Sequence, residues 1–275
     1  MAGNEQSETS ARRAIIGGGV VGVVVVLAVF GAAMVPYDAN LPDFDHLLAA
    51  PSLAHPLGTD DLGRDVLSRL IVGAQASVWV GFIAVLTATV VGTTAGIVAA
   101  WLGGAVDAVI IAAVNIVLAF PGLLLALSLT VVLGPGLGVV AASQAIVNLP
   151  LIVRTARGRA LLIRQMPYVE ARRALGFSEF NIMRRTILPN SLAPVIVQAS
   201  LIFANSVIAE SYLSFLGLGV QPPTPTWGTM LRGSIGFLDR APWIATFAGL
   251  SIFLTVLGFN LIGDALHDSL QERDI

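Results

Sequence analysis

Long charge-free apolar runs recur along this chain, and they restrict its fold more than any other feature. A bilayer core needs roughly 20 apolar residues per crossing helix. Runs of this kind extend from Ala14 to Val35, Leu70 to Val106, Ala108 to Val153, Ile187 to Ala209 and Ala241 to Gly263. Backbone polar groups in lipid must be satisfied within the protein, so apolar segments of this length are expected to be helices. Composition agrees, with 56% hydrophobic and 12% charged residues against about a quarter charged in an ordinary soluble domain. The expected fold class is an all-α polytopic membrane protein.

The runs give six transmembrane helices. Leu70 to Val106 exceeds one perpendicular crossing at about 1.5 Å per residue and predicts a single tilted helix from near Val72. Ala108 to Val153 is too long for one helix, and LGPGLG at Leu133 to Gly138 divides it into two crossings. The Ile187 run continues to about Phe215. Arg12 and Arg13 precede the first run in the manner of a secretory signal. That run, however, is longer than the usual roughly 7 to 15 residues of a signal core and has no clear cleavage site, so it reads as a retained helix. Six crossings place both termini on one side. Arginines near membrane ends are retained in the cytoplasm. With both termini inside, eleven arginines fall on inner segments (Arg12, Arg13, Arg273 and eight from Arg154 to Arg185), against Arg64, Arg69, Arg232 and Arg240 outside. The expected organisation is a cytoplasmic N-terminus at 1–13, a first helix at 14–35 and an extracytoplasmic segment at 36–71. A core at 72–264 follows, with a cytoplasmic loop at 154–190, and then a cytoplasmic tail at 265–275.

Several function classes fall away. The chain has no cysteine, which removes disulfides and thiolate metal sites. It has neither a phosphate-binding loop of the G-x4-G-K-[ST] kind nor a placed nucleophile and histidine, so it reads as a non-enzyme. All its basic residues are arginine, a bias that points to a GC-rich bacterial genome.

The charge that remains is concentrated in YVEARRALGFSEFNIMRRTILPN, Tyr168 to Asn190. A solvated topological anchor would account for the arginines alone. The order of residues is more specific: Pro167 can open a short helix and Gly176 can end it in a left-handed conformation. Ser178 can cap a second helix with Glu179 near its positive end, and Ile182, Ile187 and Leu188 give that helix an apolar side. Two short helices around a glycine elbow form a projecting knob suited to a cytoplasmic partner.

Glu170, Ala171, Gly176, Ile187, Leu188 and Pro189 resemble the EAA loop of permease subunits of binding-protein-dependent ABC importers. Here Arg172 stands where that family has its second alanine. HPLGTDDLGRDVLSRL at His55 to Leu70, FLGLGVQPPTPTWGTML at Phe215 to Leu231, LAFPGLLLAL at Leu118 to Leu127 and FNLIGDAL at Phe259 to Leu266 are similar to stretches of the peptide and nickel branch. Within that branch they particularly resemble the C subunit of dipeptide and oligopeptide systems. Asn115 and His267 depart from an aspartate and an arginine usual there.

The resemblance implies a type I importer permease fold and an ATPase-coupling surface at Tyr168, Glu170, Ala171, Arg172, Leu175, Gly176, Ile187, Leu188 and Pro189. It also implies several partners: a homologous permease subunit as heterodimer, two ATP-binding subunits or one fused chain, and an extracytoplasmic substrate-binding protein. No cofactor is expected on this chain, since ATP and magnesium belong to the ATPase partners. The expected location is the bacterial cytoplasmic membrane, and nucleic acid is not an expected partner.

Outside the knob, Glu210 stands out because an acid in an apolar helix needs a partner or water. With Ser206 and Ser214 it is a candidate for the pore or its outer gate; the alternative is a hydrogen-bonded acid fixing the helix exit. His55, Asp60, Asp61 and Asp65 could suggest oxygen ligands for a hard cation. The reading preferred here is an extracytoplasmic shelf before helix two, in which Thr59 caps a helix, the dipole favours Asp60 and Asp61 in its first turn and Arg64 or Arg69 neutralises the rest, with no metal. Asp60, Arg64 and Asp65 on that outer segment, with Pro222, Pro223 and Trp227 in the proline-rich loop, are candidate contacts for the binding protein. The loop's alternative is a structural lid, and Trp227 is expected at the lipid–water interface. Gly92 and Gly96 in GTTAG signal close helix packing.

Among functions, a subunit of a di- or oligopeptide importer comes first and nickel import second. An ion-coupled secondary transporter would be expected to show internal repeats and ionisable relays, and the sequence shows neither. A nontransporting scaffold would assemble without flux.

Overall fold

The computed structural model describes residues 2–271, with side chains over 11–270. Arg273 and the end of the tail lie outside the described residues. Ten helices follow in chain order: α1 (Ala2–Met34), α2 (Val66–Leu102), α3 (Gly104–Leu118), α4 (Gly122–Leu133), α5 (Leu137–Arg164), α6 (Pro167–Ala174), α7 (Glu179–Ile182), α8 (Leu188–Phe215), α9 (Trp227–Ser234) and α10 (Pro242–Gln271). A π-turn at Met183–Ile187 joins α7 to α8. No strand occurs among the described residues, only an isolated bridge between Thr59 and Asp65.

Five segments are long and apolar enough to cross a membrane: Ala11–Met34, Val66–Leu102, Leu137–Arg164, Glu179–Phe215 and Pro242–Leu270. A sixth crossing exists if α3 and α4, bent by 88° at their junction, count as one. The glycine-rich turn expected at Leu133–Gly138 does separate α4 from α5, with Gly134 and Gly136 at positive φ. The break at Ala119–Pro121 was not expected from the sequence. Proline disfavours helical geometry in the residue before it and donates no hydrogen bond, so α3 ends at Leu118 and the chain turns.

Helix α2 begins earlier than expected. Asp65 caps it, accepting from the Ser68 amide and hydroxyl at 2.8 Å each, and the separate helix expected from Thr59 does not form. Asp60 and Asp61 lie in a turn before the helix. Arg69 does not stop the helix because its charge is met locally, by Asp60 at 3.3 Å and by the Ala39 carbonyl at 2.9 Å.

Helix α2 packs most extensively on α5. Gly96 makes this possible, because a Cβ there would lie 2.5 Å from the Val153 carbonyl oxygen, and one on Gly92 would meet Ile152 at 2.8 Å. One apolar core lies near the start of α2, where Val66, Leu70, Phe203, Trp227 and Ile244 meet. A second lies near its end, around Ile97, Ile152, Ile163, Ile182 and Ile187. Arg13 pairs with Asp268 at 3.4 Å, and α8 begins beside Asp264 and His267. The start of α1, the end of α10 and the knob therefore share one end of the bundle, with the segment between α1 and α2 at the other.

Candidate functional site

The knob is built from the residues the sequence marked. Pro167 occupies the first turn of α6, where its missing N–H costs nothing. The helix ends at Gly176 with φ of 81°. The Gly176 amide donates to Arg173 O at 2.9 Å and that of Phe177 to Arg172 O at 3.2 Å, a left-handed cap that satisfies the last carbonyls. Ser178 then caps α7 by accepting from the Asn181 amide. The π-turn precedes Pro189, which has no N–H to give the helical ladder.

Bracing from the rest of the chain fixes the knob's direction. Val169, Ile182 and Ile187 are fully buried in the core shared with Ile97, Ala100 and Ile163. Arg172 donates to the Thr186 hydroxyl at 2.6 Å and lies over the Phe177 ring at 5.1 Å. Trp101, in the last turn of α2, lies under two guanidinium groups, Arg164 at 5.6 Å and Arg173 at 5.3 Å. Arg173 also pairs with Glu179 at 2.9 Å, and Arg164 donates to Ala100 O at 2.9 Å. Further back, Arg157 holds Asp107 through two bonds of 2.6 Å, and Arg154 donates to Asn115 at 2.8 Å. Much of the arginine-rich island is therefore internal bracing. Nothing in the sequence singled out Trp101, because an aromatic at a helix end is equally expected at a lipid interface.

The expected coupling residues divide into two sets. Tyr168, Glu170, Ala171, Leu175 and Gly176 face outward, with Leu175 77% exposed and Phe180 beside the elbow 65% exposed. Arg172 and Leu188 are half-buried, Ile187 is internal and Pro189 is exposed. The outward set makes an apolar crest with a carboxylate, carried on a rigid base. At the same end, Arg159, Asn190, Gln198, Asp264 and His267 help line a cavity of about 590 Å³ between α5, α8 and α10.

The residues expected at the pore turn inward within this chain. Ser206, Glu210 and Ser214 are fully buried. The Ser214 hydroxyl, one turn along the same helix, donates to Glu210 Oε1 at 2.6 Å, and Ser77, Ser211 and Thr226 lie nearby without a hydrogen bond to Oε2. Glu210 is therefore a buried acid hydrogen-bonded within α8 itself. Elsewhere on α8, Asn205 and Tyr212 open on a second cavity of about 210 Å³, which Gln144 and Asn148 of α5 also line. Sequence reasoning missed these uncharged residues because amides in a membrane helix carry no spacing signal.

At the opposite end, Asp60 and Asp65 are buried. Asp60 is held by Arg64 at 2.8 Å and Arg69 at 3.3 Å, so neither carboxylate is offered as a contact. Trp227 is also internal rather than interfacial: its Nε1–H donates to Leu70 O at 3.1 Å and its ring sits in the core. The proline-rich loop leads directly into α9, a helix not expected there from the sequence. Pro222 and Pro223 are exposed, and Arg64 is partly so. His46 beside Asp43 holds that carboxyl below its usual range.

Comparison with known proteins gives this geometry its context. Residues 92–273 match the family described as "Binding-protein-dependent transport system inner membrane component". The glutathione transport system permease protein GsiD of Pectobacterium atrosepticum is 40% identical over 252 residues, covering 91% of this chain and 84% of that protein. The dipeptide transport system permease protein DppC of Alkalihalophilus pseudofirmus is 41% identical over 260 residues, covering 94% and 86%. GsiD of Escherichia coli O6:K15:H31 is 42% identical over 252 residues, covering 91% and 83%. The family is a transport component rather than an enzyme, it works with ATPase and substrate-binding partners, and its fold is that of type I importer permeases. The chain belongs to the inner membrane permease components of binding-protein-dependent ABC importers.

Proposed function

We propose that this chain forms half of the translocation pore of an ATP-driven importer of di- or oligopeptides, beside a homologous permease subunit. Two ATP-binding subunits, or one fused chain, supply ATP and magnesium, and an extracytoplasmic binding protein delivers the substrate. Both termini and the knob lie in the cytoplasm, in keeping with the arginine distribution. The observation that carries this reading is the knob: an exposed apolar crest at Tyr168, Leu175 and Phe180 on a base locked to α2 and α5. A rigid lever is what a pore needs to follow an ATPase. Nucleotide binding draws the two knobs together and opens the pore outward, and hydrolysis returns it inward. Gln144, Asn148, Asn205 and Tyr212 supply the polar wall that a peptide backbone requires. Similarity to glutathione and dipeptide permeases supports a short peptide as substrate.

The test is uptake of labelled dipeptide and labelled glutathione in cells lacking this chain, restored with the intact protein or with Gly176→Trp. Rescue by the intact chain alone supports both substrate class and coupling route. Unchanged uptake of both peptides in the deletion strain would refute peptide import.

A further inference from the structure

The segment between α1 and α2 brings together three metal-ligating side chains that their spacing in the sequence does not connect. One ligand atom from each of Asp43, His46 and His55 lies within 4.8 Å of the others. We propose that these residues bind a divalent cation of the zinc class, Zn²⁺ or a late first-row neighbour with imidazole affinity.

Local structure makes the arrangement. Phe44–His46 is a 3-10 turn capped by Asp43, whose Oδ1 accepts from the Asp45 amide at 3.1 Å. Residues three apart eclipse in such a turn, which sets Asp43 Oδ2 2.8 Å from His46 Nδ1. A cation at this edge would take the place of the proton the two atoms share, as metal binding to protonated ligands does.

His55 comes from the other arm of the same folded loop. It is 8% exposed, and its Nδ1 lies 3.0 Å from Asp65 Oδ1, with Asp65 itself fixed as the cap of α2. A carboxylate on one imidazole nitrogen leaves Nε2 to coordinate and orients the ring, the usual outer-shell support of a metal-binding histidine. Gly63, at φ of 76°, lets the loop close on this group, since any Cβ there would collide with the Asp43 carbonyl.

Two imidazoles and a carboxylate suit zinc, nickel or copper better than magnesium or calcium, which prefer oxygen ligands throughout. Tetrahedral zinc with bonds of about 2.0 to 2.2 Å needs ligand atoms roughly 3.3 Å apart, so the three side chains, with ligand atoms within 4.8 Å of one another, would have to adjust around the ion. Three protein ligands leave a fourth position. A cavity of about 120 Å³ bordered by Tyr37, Asp43, His55 and Asp65 gives water or an incoming group room to occupy it. The site lies at the far end of the bundle from the knob.

The experiment uses the full chain in lipid nanodiscs, purified with a tag free of histidine, stripped with chelator and then titrated with Zn²⁺. Ni²⁺ and Mg²⁺ serve as comparisons. Bound metal is counted by elemental analysis and affinity is measured by calorimetry. One zinc per chain is expected, with Mg²⁺ ineffective. His46→Ala removes an exposed side chain and should weaken binding at least ~10-fold without changing unfolding of the metal-free chain, and His46→Cys should restore it by supplying thiolate. Absence of stoichiometric zinc, or equal binding by wild type and His46→Ala, would overturn the proposal. The chain's one remaining histidine, His267, lies at the opposite end, so zinc lost in His267→Ala but kept in His46→Ala would also refute it.

Discussion

Arg172 donates a 2.6 Å hydrogen bond to Thr186, fourteen residues further along the chain, and so closes the two arms of the knob on one another. This explains how an arginine is accommodated where the family usually has alanine. The guanidinium turns back over Phe177 instead of occupying the crest. Replacing Arg172 with alanine should therefore loosen α6 without removing crest surface. A charged hydrogen bond contributes about 1.5 to 3 kcal/mol when buried, and less here because Arg172 is only half-buried. Hydrogen exchange over residues 168–176 should quicken severalfold and uptake should fall, while membrane insertion stays normal. Unchanged exchange would show that the bond does not brace the knob.

Trp101 links the knob to α2 through two guanidinium contacts. A cation–π contact contributes roughly 0.5 to 2 kcal/mol depending on desolvation. Trp101→Phe should retain most transport, and Trp101→Leu should lower transport per ATP hydrolysed in the reconstituted importer. Equal coupling ratios in the two variants would remove Trp101 from the transmission path.

Gly176 has open space where a side chain would project, but its backbone is left-handed. Asparagine tolerates that conformation and most other residues lose about 1 to 2 kcal/mol there. Gly176→Asn should assemble and transport close to wild type. Gly176→Trp should insert normally yet fail to retain the ATPase subunits on co-purification. Retention of those subunits by the tryptophan variant would mean that the elbow is not at the contact.

Gly96→Val should act on the fold rather than on coupling, because the new side chain meets the Val153 carbonyl. Overpacking of this kind costs typically about 1 to 3 kcal/mol. Yield of folded, detergent-stable chain should drop sharply, whereas Gly249→Ala, which meets nothing within 4 Å, should leave it unchanged. Matching thermal stability in the two variants would count against tight α2–α5 packing.

Glu210→Gln keeps an acceptor for the Ser214 hydroxyl, and Glu210→Leu does not. If the carboxyl serves to tie α8, the glutamine form should transport normally. The leucine form should unfold earlier, by about 1 to 3 kcal/mol for the Ser214 hydroxyl left unpaired. Loss of transport in a stable glutamine variant would instead assign Glu210 a direct part in translocation.

The apolar spans, the glycine elbow and the capped helices of the knob were all legible in the order of residues. Those features rest on local rules: span length against bilayer thickness, proline without a donor, glycine at positive φ. Which way side chains face once helices pack was settled in three dimensions. Packing turned Glu210, Asp65 and Trp227 inward and set Trp101 beneath arginines more than sixty residues distant in the chain. It likewise brought His55 to Asp43 and His46 across a folded loop. The inward turns of Glu210 and Trp227 and the seat of Trp101 depend on helix rotation and register fixed by packing at close range, which leave no period or spacing to read.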